Sequence, residues 1–270
     1  MTPSGHAARH PEVWRRFSPR QTVLRYAWYL GIVAVATWSI GALDIAWFFF
    51  LDAHVQALDL VTRMWPPDAG YARKVIGPLV ETIHIATLGT AATVVVAFPV
   101  AFLAARNTTF NSFTWFIGRF ILVASRSVNT VVWGLLFVAV FGPGPMAGIW
   151  AITFRSVGFL GKLVAEAIEE IDAGVVEAIE ATGASRLQVL WIGILPQVLP
   201  VIYGTTVYRW DINIRESSVL GFVGAGGIGI VLYAAINQFR WQEVTVILIA
   251  VFGVVILSEF ISAAVRRRIT

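Results

Sequence analysis

Six long apolar runs, separated by shorter polar segments, dominate the pattern of hydrophobic and polar positions along the chain. Most of them reach or approach the roughly 20 predominantly apolar residues that a membrane-spanning helix needs. The fourth run is the weakest, because it carries Arg155 and Lys162. The pattern predicts an all-α integral membrane protein with six transmembrane helices. The predicted spans are residues 28–50, 83–105, 120–141, 146–163, 192–208 and 244–265.

The composition agrees with this pattern. Of the 270 residues, 57% are hydrophobic and only 13% are charged, whereas a soluble domain carries about 25% charged residues. The first apolar run is too long for the core of a signal peptide, so we interpret it as a retained span. The chain has no cysteine, which excludes disulfides and thiolate metal sites.

The placement of lysine and arginine predicts the orientation, because cytoplasmic loops carry an excess of these residues. With the N-terminus inside, the cytoplasmic segments hold fourteen of the twenty, including five arginines between Arg9 and Arg25. This count assigns Arg126 and Arg155 to the cytoplasmic side and Arg209 to the external side. We therefore predict that both termini are cytoplasmic.

No pattern in the sequence indicates catalysis. The four histidines show no metal-ligand spacing, and no catalytic constellation is present. The chain lacks the glycine-rich Walker A sequence, so it is not expected to hydrolyse ATP itself. The net charge is +4, but the basic residues lie at the edges of the apolar runs and not on one face. This distribution argues against a nucleic-acid partner. We predict no catalytic residue, no metal site and no cofactor bound by this chain.

The cytoplasmic segment 166–191 is the most unusual connection. Its first half is acidic and contains no basic residue. Small residues at helical spacing and a glycine at position 183 favour a short helical hairpin at the inner membrane face, which a partner can approach closely. A solvated acidic loop is the alternative. The acids are Glu166, Glu169, Glu170, Asp172, Glu177 and Glu180.

The end of this segment resembles the "EAA" loop of ABC importer permeases. That loop reads Glu-Ala-Ala, three residues, Gly, nine residues, Ile, one residue, Leu-Pro. The matching positions are Glu177, Ala178, Gly183, Leu195 and Pro196. The sequence departs from the pattern at Ile179, where alanine is usual, and at Gly193, where isoleucine is usual. The resemblance implies that this loop couples the chain to an ATPase subunit.

A second resemblance narrows the family. The run Tyr208–Gly221, and then Gly224-Ala225-Gly226-Gly227-Ile228-Gly229, is similar to segments of phosphonate-importer permeases. It implies a type I ABC importer permease fold (MetI-like), with residues 77–270 as a permease core of five transmembrane helices. Residues 1–27 would then be a cytoplasmic segment, 28–50 the first span and 51–76 an external segment.

The resemblance also implies partners and a cargo. We expect a homodimer in the bacterial cytoplasmic membrane, with a cytoplasmic ABC ATPase dimer that binds ATP and Mg and an extracytoplasmic solute-binding protein. The expected function is import of phosphonate, phosphite or phosphate by alternating access. The first alternative keeps the machinery but carries methionine, glycine betaine or another small solute. A secondary transporter would show an inverted repeat, and a membrane-embedded enzyme would show paired catalytic groups; neither is evident.

The polar residues after the fifth run are the candidate substrate pathway. They are predicted at or just beyond the outer end of that span. A guanidinium offers two parallel donors that suit phosphorus oxyanions, although Asp211 and Arg215 also have the spacing of an ordinary i,i+4 ion pair. The pathway candidates are Asn213, Arg215, Ser217 and Ser218.

The glycine-rich run that follows has two interpretations. It does not lie between a strand and a helix, so a dinucleotide fingerprint is rejected. Closely spaced glycines let backbones pack tightly or bend, so the run is either a gate or a plain structural turn. The glycines concerned are Gly224, Gly226, Gly227 and Gly229.

Glu81 and His84 either pair with each other or line an outer vestibule.

Overall fold

The computed structural model describes residues 19–43 and 46–269. Most of the predicted N-terminal segment, with Arg9, Arg15 and Arg16, and also Asp44 lie outside the described residues. The described residues up to 59 and those from 60 onward form separate compact units. Helices and no strand occur in the described ranges, which agrees with the predicted all-α class.

The principal helices are bounded as follows. They are α1 (Pro19–Ala42), α2 (Trp47–Met64), α3 (Ala72–Ala104), α4 (Ser112–Ser127), α5 (Thr130–Phe141), α6 (Pro145–Glu169), α7 (Ala173–Ala181), α8 (Arg186–Gln188), α9 (Leu195–Leu220), α10 (Ile228–Asn237) and α11 (Trp241–Ile269). A π-helical turn, Val189–Ile194, joins α8 to α9, and short 3₁₀ turns occupy Ala69–Tyr71 and Gly221–Val223.

Within the described ranges, five helices are long and apolar enough to cross a membrane, and the number becomes six when α4 and α5 count as one bent span. The predicted number of spans agrees with the latter count. The bounds of the first predicted span, 28–50, are wrong, because α1 ends at Ala42 and α2 begins at Trp47. Much of the predicted external segment 51–76 is therefore helical.

The third predicted span, 120–141, is not a single helix. The chain is extended at Val128, and α4 and α5 meet at an angle of 96°. Asn129 caps α5, because its side-chain oxygen accepts a hydrogen bond from Val131 N at 3.0 Å. Asparagine is a preferred N-cap residue, so the break has a local cause in the sequence.

The acidic segment that was predicted to be cytoplasmic begins later than predicted. Helix α6 continues to Glu169, and that carboxylate forms an ion pair with Arg119 at 2.8 Å and accepts a hydrogen bond from Arg106 N at 2.9 Å. Glu166 pairs with Lys162 at 3.3 Å. Glu169 therefore holds α6 to α4 and to the segment after α3, whereas Glu166 pairs within α6. Only the residues from Glu170 onward form the hairpin.

Small residues allow the helices of residues 60–270 to pack closely around α6. A Cβ atom at Gly158 would lie 2.4 Å from the carbonyl oxygen of Leu122 on α4. The buried core on this side of the bundle combines alanines of α3 with Leu160 and Val164 of α6 and Val198 of α9. Such close backbone approach is typical of helix packing in membranes.

Candidate functional site

Helix α7 carries the first part of the predicted coupling loop. Asp172 caps it, because its side chain accepts a hydrogen bond from Gly174 N at 2.8 Å. Glu177, Ala178 and Gly183 are all exposed, so the side chains and backbone that the loop pattern singles out face outward. The hairpin therefore presents a surface of small residues and acids rather than a packed core.

Gly183 ends the helical turn with a left-handed backbone. Its φ is +81°, and its N–H donates to the carbonyl oxygen of Glu180 at 2.9 Å. A side chain at this position would meet nothing within 4 Å. Glycine is favoured here by the backbone conformation, while the open space leaves room for a partner surface.

The two departures from the loop pattern contact each other. A Cβ atom at Gly193 would lie 3.1 Å from Cδ1 of Ile179, and the side chain of Val176 lies at 3.9 Å. The usual loop pattern has a small residue, alanine, at position 179 and a large one, isoleucine, at position 193. In this chain the large residue is at 179 and the small one at 193, so the volume is exchanged across one contact between α7 and the π-helical turn.

A glutamine side chain connects the hairpin to α9. Gln197 Oε1 accepts a hydrogen bond from Asp172 N at 3.0 Å, and its Nε2 donates to the carbonyl oxygen of Gly193 at 2.7 Å. Leu195 packs against the buried core, whereas Pro196 is exposed at the start of α9. The start of α7 and the start of α9 are thus connected by hydrogen bonds and by packing.

Helix α9 continues well past the predicted end at residue 208, and this places its polar residues inside the bundle. Asn213 and Ser217 are fully buried. Asn213 Nδ2 donates to Thr90 Oγ1 at 2.8 Å, and Ser217 Oγ donates to the carbonyl oxygen of Thr82 at 2.9 Å. In this conformation of the single chain both residues pin α9 to α3, and their pathway role stays a prediction.

A second face of α9 contacts α11. Arg215 forms an ion pair with Asp211, whose other carboxylate oxygen accepts a hydrogen bond from Ser258 Oγ at 2.6 Å. Arg215 is 45% exposed, so one side of its guanidinium is open. Ser218 is partly buried and donates to the carbonyl oxygen of Ile214 at 3.2 Å. Arg215 and Ser218 stay candidates for the pathway.

A third face of α9 carries a buried ion pair that sequence reasoning missed. Arg209 is 4% exposed, and its Nη2 lies 3.1 Å from Glu216 Oε1. Its Nε donates to Ser156 Oγ of α6 at 2.9 Å, and the guanidinium lies 5.5 Å from the ring centre of Phe159. Glu216 also accepts a hydrogen bond from Thr130 Oγ1 of α5 at 2.6 Å. The i,i+7 spacing of a cation and an acid was the only signal for this pair in the sequence.

Three arginines lie at the same depth in their helices. Helices α4, α6 and α9 have ends on one side of the bundle, where Arg106 N contacts Glu169 and Asp172 N contacts Gln197. From those ends, Arg126, Arg155 and Arg209 are each 14 residues, or about 21 Å, along their helices.

This depth corrects the assignments of Arg126 and Arg155 to the cytoplasmic side and of Arg209 to the external side. Hydropathy averages over a window, so a single charge within an apolar run is placed at the nearest boundary. With Arg126, Arg155 and Arg209 assigned to mid-span, twelve lysines and arginines remain on the predicted cytoplasmic side and five on the other. The charge bias behind the predicted orientation is therefore retained.

The glycine-rich run forms a tightly packed turn between α9 and α10. Gly224, Gly226 and Gly227 have φ values of +84°, +87° and +74°. The N–H of Gly227 donates to Glu81 Oε1 at 3.1 Å. A Cβ atom at Gly229 would lie 2.3 Å from the carbonyl oxygen of Ser218. This geometry explains the glycines by packing, and a gating role stays a prediction.

The described residues contain no group of three or more histidine, aspartate or glutamate side chains placed to hold a metal ion. Glu81 satisfies the backbone at the start of α10, and His84 is exposed; the vestibule role of these two residues stays a prediction.

Comparison with known proteins gives one sequence family, described as "Binding-protein-dependent transport system inner membrane component", which matches residues 97–270. The chain is 40% identical to the phosphite transport system permease protein PtxC of Stutzerimonas stutzeri, over 88% of this chain and 86% of that protein. It is 36% identical to the phosphate-import permease protein PhnE of Mycolicibacterium smegmatis, over 86% of this chain and 43% of that longer protein.

Among solved structures, the chain is similar to an inward-facing methionine ABC transporter, MetNI. The TM-score is 0.65, and the match covers 75% of this chain and 99% of the other. The sequence identity is 22%, so this likeness shows the fold alone. It agrees with the predicted type I importer permease fold.

The exchanged volume at positions 179 and 193 is testable by a double-mutant cycle. We expect Ile179→Ala and Gly193→Ile each to lower the free energy of unfolding by about 1–3 kcal/mol, by loss of packing and by overpacking respectively. The double variant should recover part of this loss, with a coupling of about 0.5–3 kcal/mol. Thermal unfolding of the detergent-solubilised variants measures these changes in stability and the coupling between them.

Gly204→Ile on α9 is the control for this cycle, because a Cβ atom there would meet nothing within 4 Å. Combined with Ile179→Ala, its effect should be additive. Additivity in the Ile179–Gly193 cycle itself would show that the two positions do not compensate each other.

Proposed function

This chain belongs to the family of binding-protein-dependent transport system inner membrane components, and from that premise we propose that it is the membrane subunit of an ABC importer for phosphorus oxyanions. The observation that carries the proposal is the 40% identity with a phosphite permease over 88% of the chain. The cargo is phosphonate, phosphite or phosphate. Arginines at mid-span depth agree with an anionic cargo, because intramembrane charges mark ion and substrate pathways.

The exposed hairpin is the proposed contact with the ATPase. Glu177, Ala178 and Gly183 face outward, and Leu187 and Trp191 next to them are 71% and 62% exposed. An exposed apolar patch rimmed by polar residues is typical of a protein interaction site. The proposed partner is a cytoplasmic ABC ATPase dimer, which binds ATP and Mg, while this chain binds neither.

The mechanism we propose is alternating access. ATP closes the ATPase dimer, the hairpin moves with it, and the Gln197 contacts carry the movement into α9. The energetic requirement is that nucleotide favours one of two conformations of the permease. Two copies of this chain would form the pathway, and a binding protein outside the membrane would deliver the anion. Both termini would lie in the cytoplasm of a bacterial cell.

A second cargo keeps the same machinery. The solved structure with the same fold is that of a methionine transporter. Glycine betaine is a further zwitterionic candidate. At 22% identity that likeness supports the fold and not the solute. A secondary transporter is disfavoured, because it has no ATPase for the exposed hairpin to contact.

A panel of solutes tests the cargo. ATP hydrolysis by the reconstituted complex, with its binding protein, should rise severalfold with phosphonate, phosphite or phosphate and stay at the basal rate with methionine and glycine betaine. The physical reason is net charge, because the phosphorus oxyanions are net negative and are attracted to the mid-span arginines, whereas methionine and glycine betaine carry no net charge. Stimulation by a zwitterion alone would contradict the proposed cargo, while the proposal that the chain belongs to an importer would stand.

Gly183→Asp tests the coupling face. Aspartate tolerates the left-handed backbone better than most residues, so the protein should fold, while the added carboxylate occupies the space left for the ATPase. We expect substrate-stimulated ATP hydrolysis to fall about tenfold or more, the equivalent of losing roughly 1.4 kcal/mol at the interface.

The matched control for this variant is Gly142→Asp, because Gly142 has a φ of +82° and equally open space but lies at the far end of α5. It should retain stimulation. If Gly183→Asp behaves like Gly142→Asp, the hairpin is not the coupling site.

A further inference from the structure

Two of the mid-span arginines have no protein partner. In residues 19–43 and 46–269, no carboxylate pairs with Arg126 or Arg155, and neither guanidinium makes a hydrogen bond. Arg126 Nε is moreover buried without an acceptor. A buried donor left unpaired is costly, and a charge halfway along a span is too deep to reach the headgroups as terminal arginines do.

Both arginines line one cleft. It has a volume of about 400 Å³ and lies beside the bend between α4 and α5, with Val123, Ser127 and Phe159 as its other lining residues. The bend directs α5 away from the axis of α4 by 96°, so the end of α4 that carries Arg126 is left open. The cleft is large enough for a small oxyanion with several waters, since a water occupies about 30 Å³ of liquid volume.

The charge around the cleft is unbalanced. The charges of Arg155 and Arg209 repel each other, and the Arg209 guanidinium lies 5.5 Å from the ring centre of Phe159, which lines the cleft. Glu216 neutralises Arg209 only. The cluster therefore holds three guanidinium groups and one carboxylate among the described residues. A phosphorus oxyanion, which carries about −1.5 to −2 charges near pH 7, balances the excess.

We propose that Arg126 and Arg155 form the anion-contact site of the translocation pathway, at the bend between α4 and α5. The inference rests on the proposed function and adds the residues that hold the cargo inside the membrane. The two guanidinium groups donate to the oxygens of one phosphonate, phosphite or phosphate ion. Arg209 is a positioning residue, which Glu216 and Ser156 hold against Phe159, a lining residue of the cleft.

Uptake into proteoliposomes tests this site. The complex of permease, ATPase and binding protein is reconstituted, and uptake of radiolabelled phosphite and phosphate is measured for Arg126→Gln and Arg155→Gln. We expect each to reduce uptake about tenfold to a hundredfold, because a hydrogen bond to a charged group is lost. Arg126→Lys and Arg155→Lys should recover part of the activity, since they keep the charge but not the two parallel donors.

The control variant is Lys162→Gln on α6. Lys162 is 41% exposed and pairs only with Glu166 at i,i+4, and such surface pairs contribute little. We expect its uptake to stay within about twofold of the unsubstituted protein. Size-exclusion profile and basal ATP hydrolysis, measured for every variant, separate a failure of assembly from a failure of transport.

The outcomes distinguish this inference from the proposed function. If the unsubstituted complex takes up none of the phosphorus oxyanions, the proposed function fails. If it does, and the Arg126→Gln/Arg155→Gln double variant is equally active, the anion-contact site is wrong. Equal loss in the glutamine and lysine variants with a broadened size-exclusion profile would assign the arginines to structure and also overturn the proposal.

Lipid phosphate offers the same chemistry as the cargo. The assays are therefore repeated in vesicles of phosphatidylcholine alone and of phosphatidylcholine with phosphatidylglycerol. A cargo site predicts the same loss of uptake in both. A loss confined to the vesicles that contain the anionic lipid would show that the arginines bind headgroups and would contradict the proposal.

Discussion

The energetic cost of an ionised side chain inside a membrane span is the constraint on which the central part of this structure depends. Arg209 is 4% exposed about halfway along α9, where an uncompensated charge is unfavourable. Glu216 and Ser156 compensate it, and Glu216 in turn accepts a hydrogen bond from Thr130. One ion pair thus connects α5, α6 and α9. Removing one partner of such a pair costs about 3–5 kcal/mol, so the three helices are held in register.

The other polar residues of α9 extend this arrangement to the rest of the bundle. Asn213 binds Thr90 of α3, and Asp211 binds Ser258 of α11. Helix α9 is also continuous with the π-helical turn that follows the exposed hairpin. The element that contacts the proposed ATPase is therefore covalently part of the element that carries most of the buried charge. This connection is the proposed physical basis for coupling nucleotide to the anion pathway.

Sequence reasoning found what depends on average polarity or on local spacing. The number of spans followed from hydropathy, and the hairpin followed from Glu177, Ala178 and Gly183. It missed what depends on partners in space. Helix α9 was ended at residue 208, because Arg209 and Asp211 looked incompatible with a span until their partners were known. The break at Val128 was missed although Asn129 is a preferred cap, because the flanking residues are apolar. The exchange between Ile179 and Gly193 needed the packing of α7 on the π-helical turn.

Water and anions should reach the bend between α4 and α5 at mid-span depth. The chain has no cysteine, so Ser127→Cys places a single thiol in the cleft. Phe252→Cys places one near the middle of α11, on its apolar, 66% exposed surface. The measurement is modification by an anionic, membrane-impermeant thiol reagent in proteoliposomes, with full modification of both thiols after denaturation as the check on the reagent. We expect the thiol of Ser127→Cys to react with the reagent and the thiol of Phe252→Cys to stay unmodified. An inert thiol at Ser127→Cys in the folded complex would contradict it.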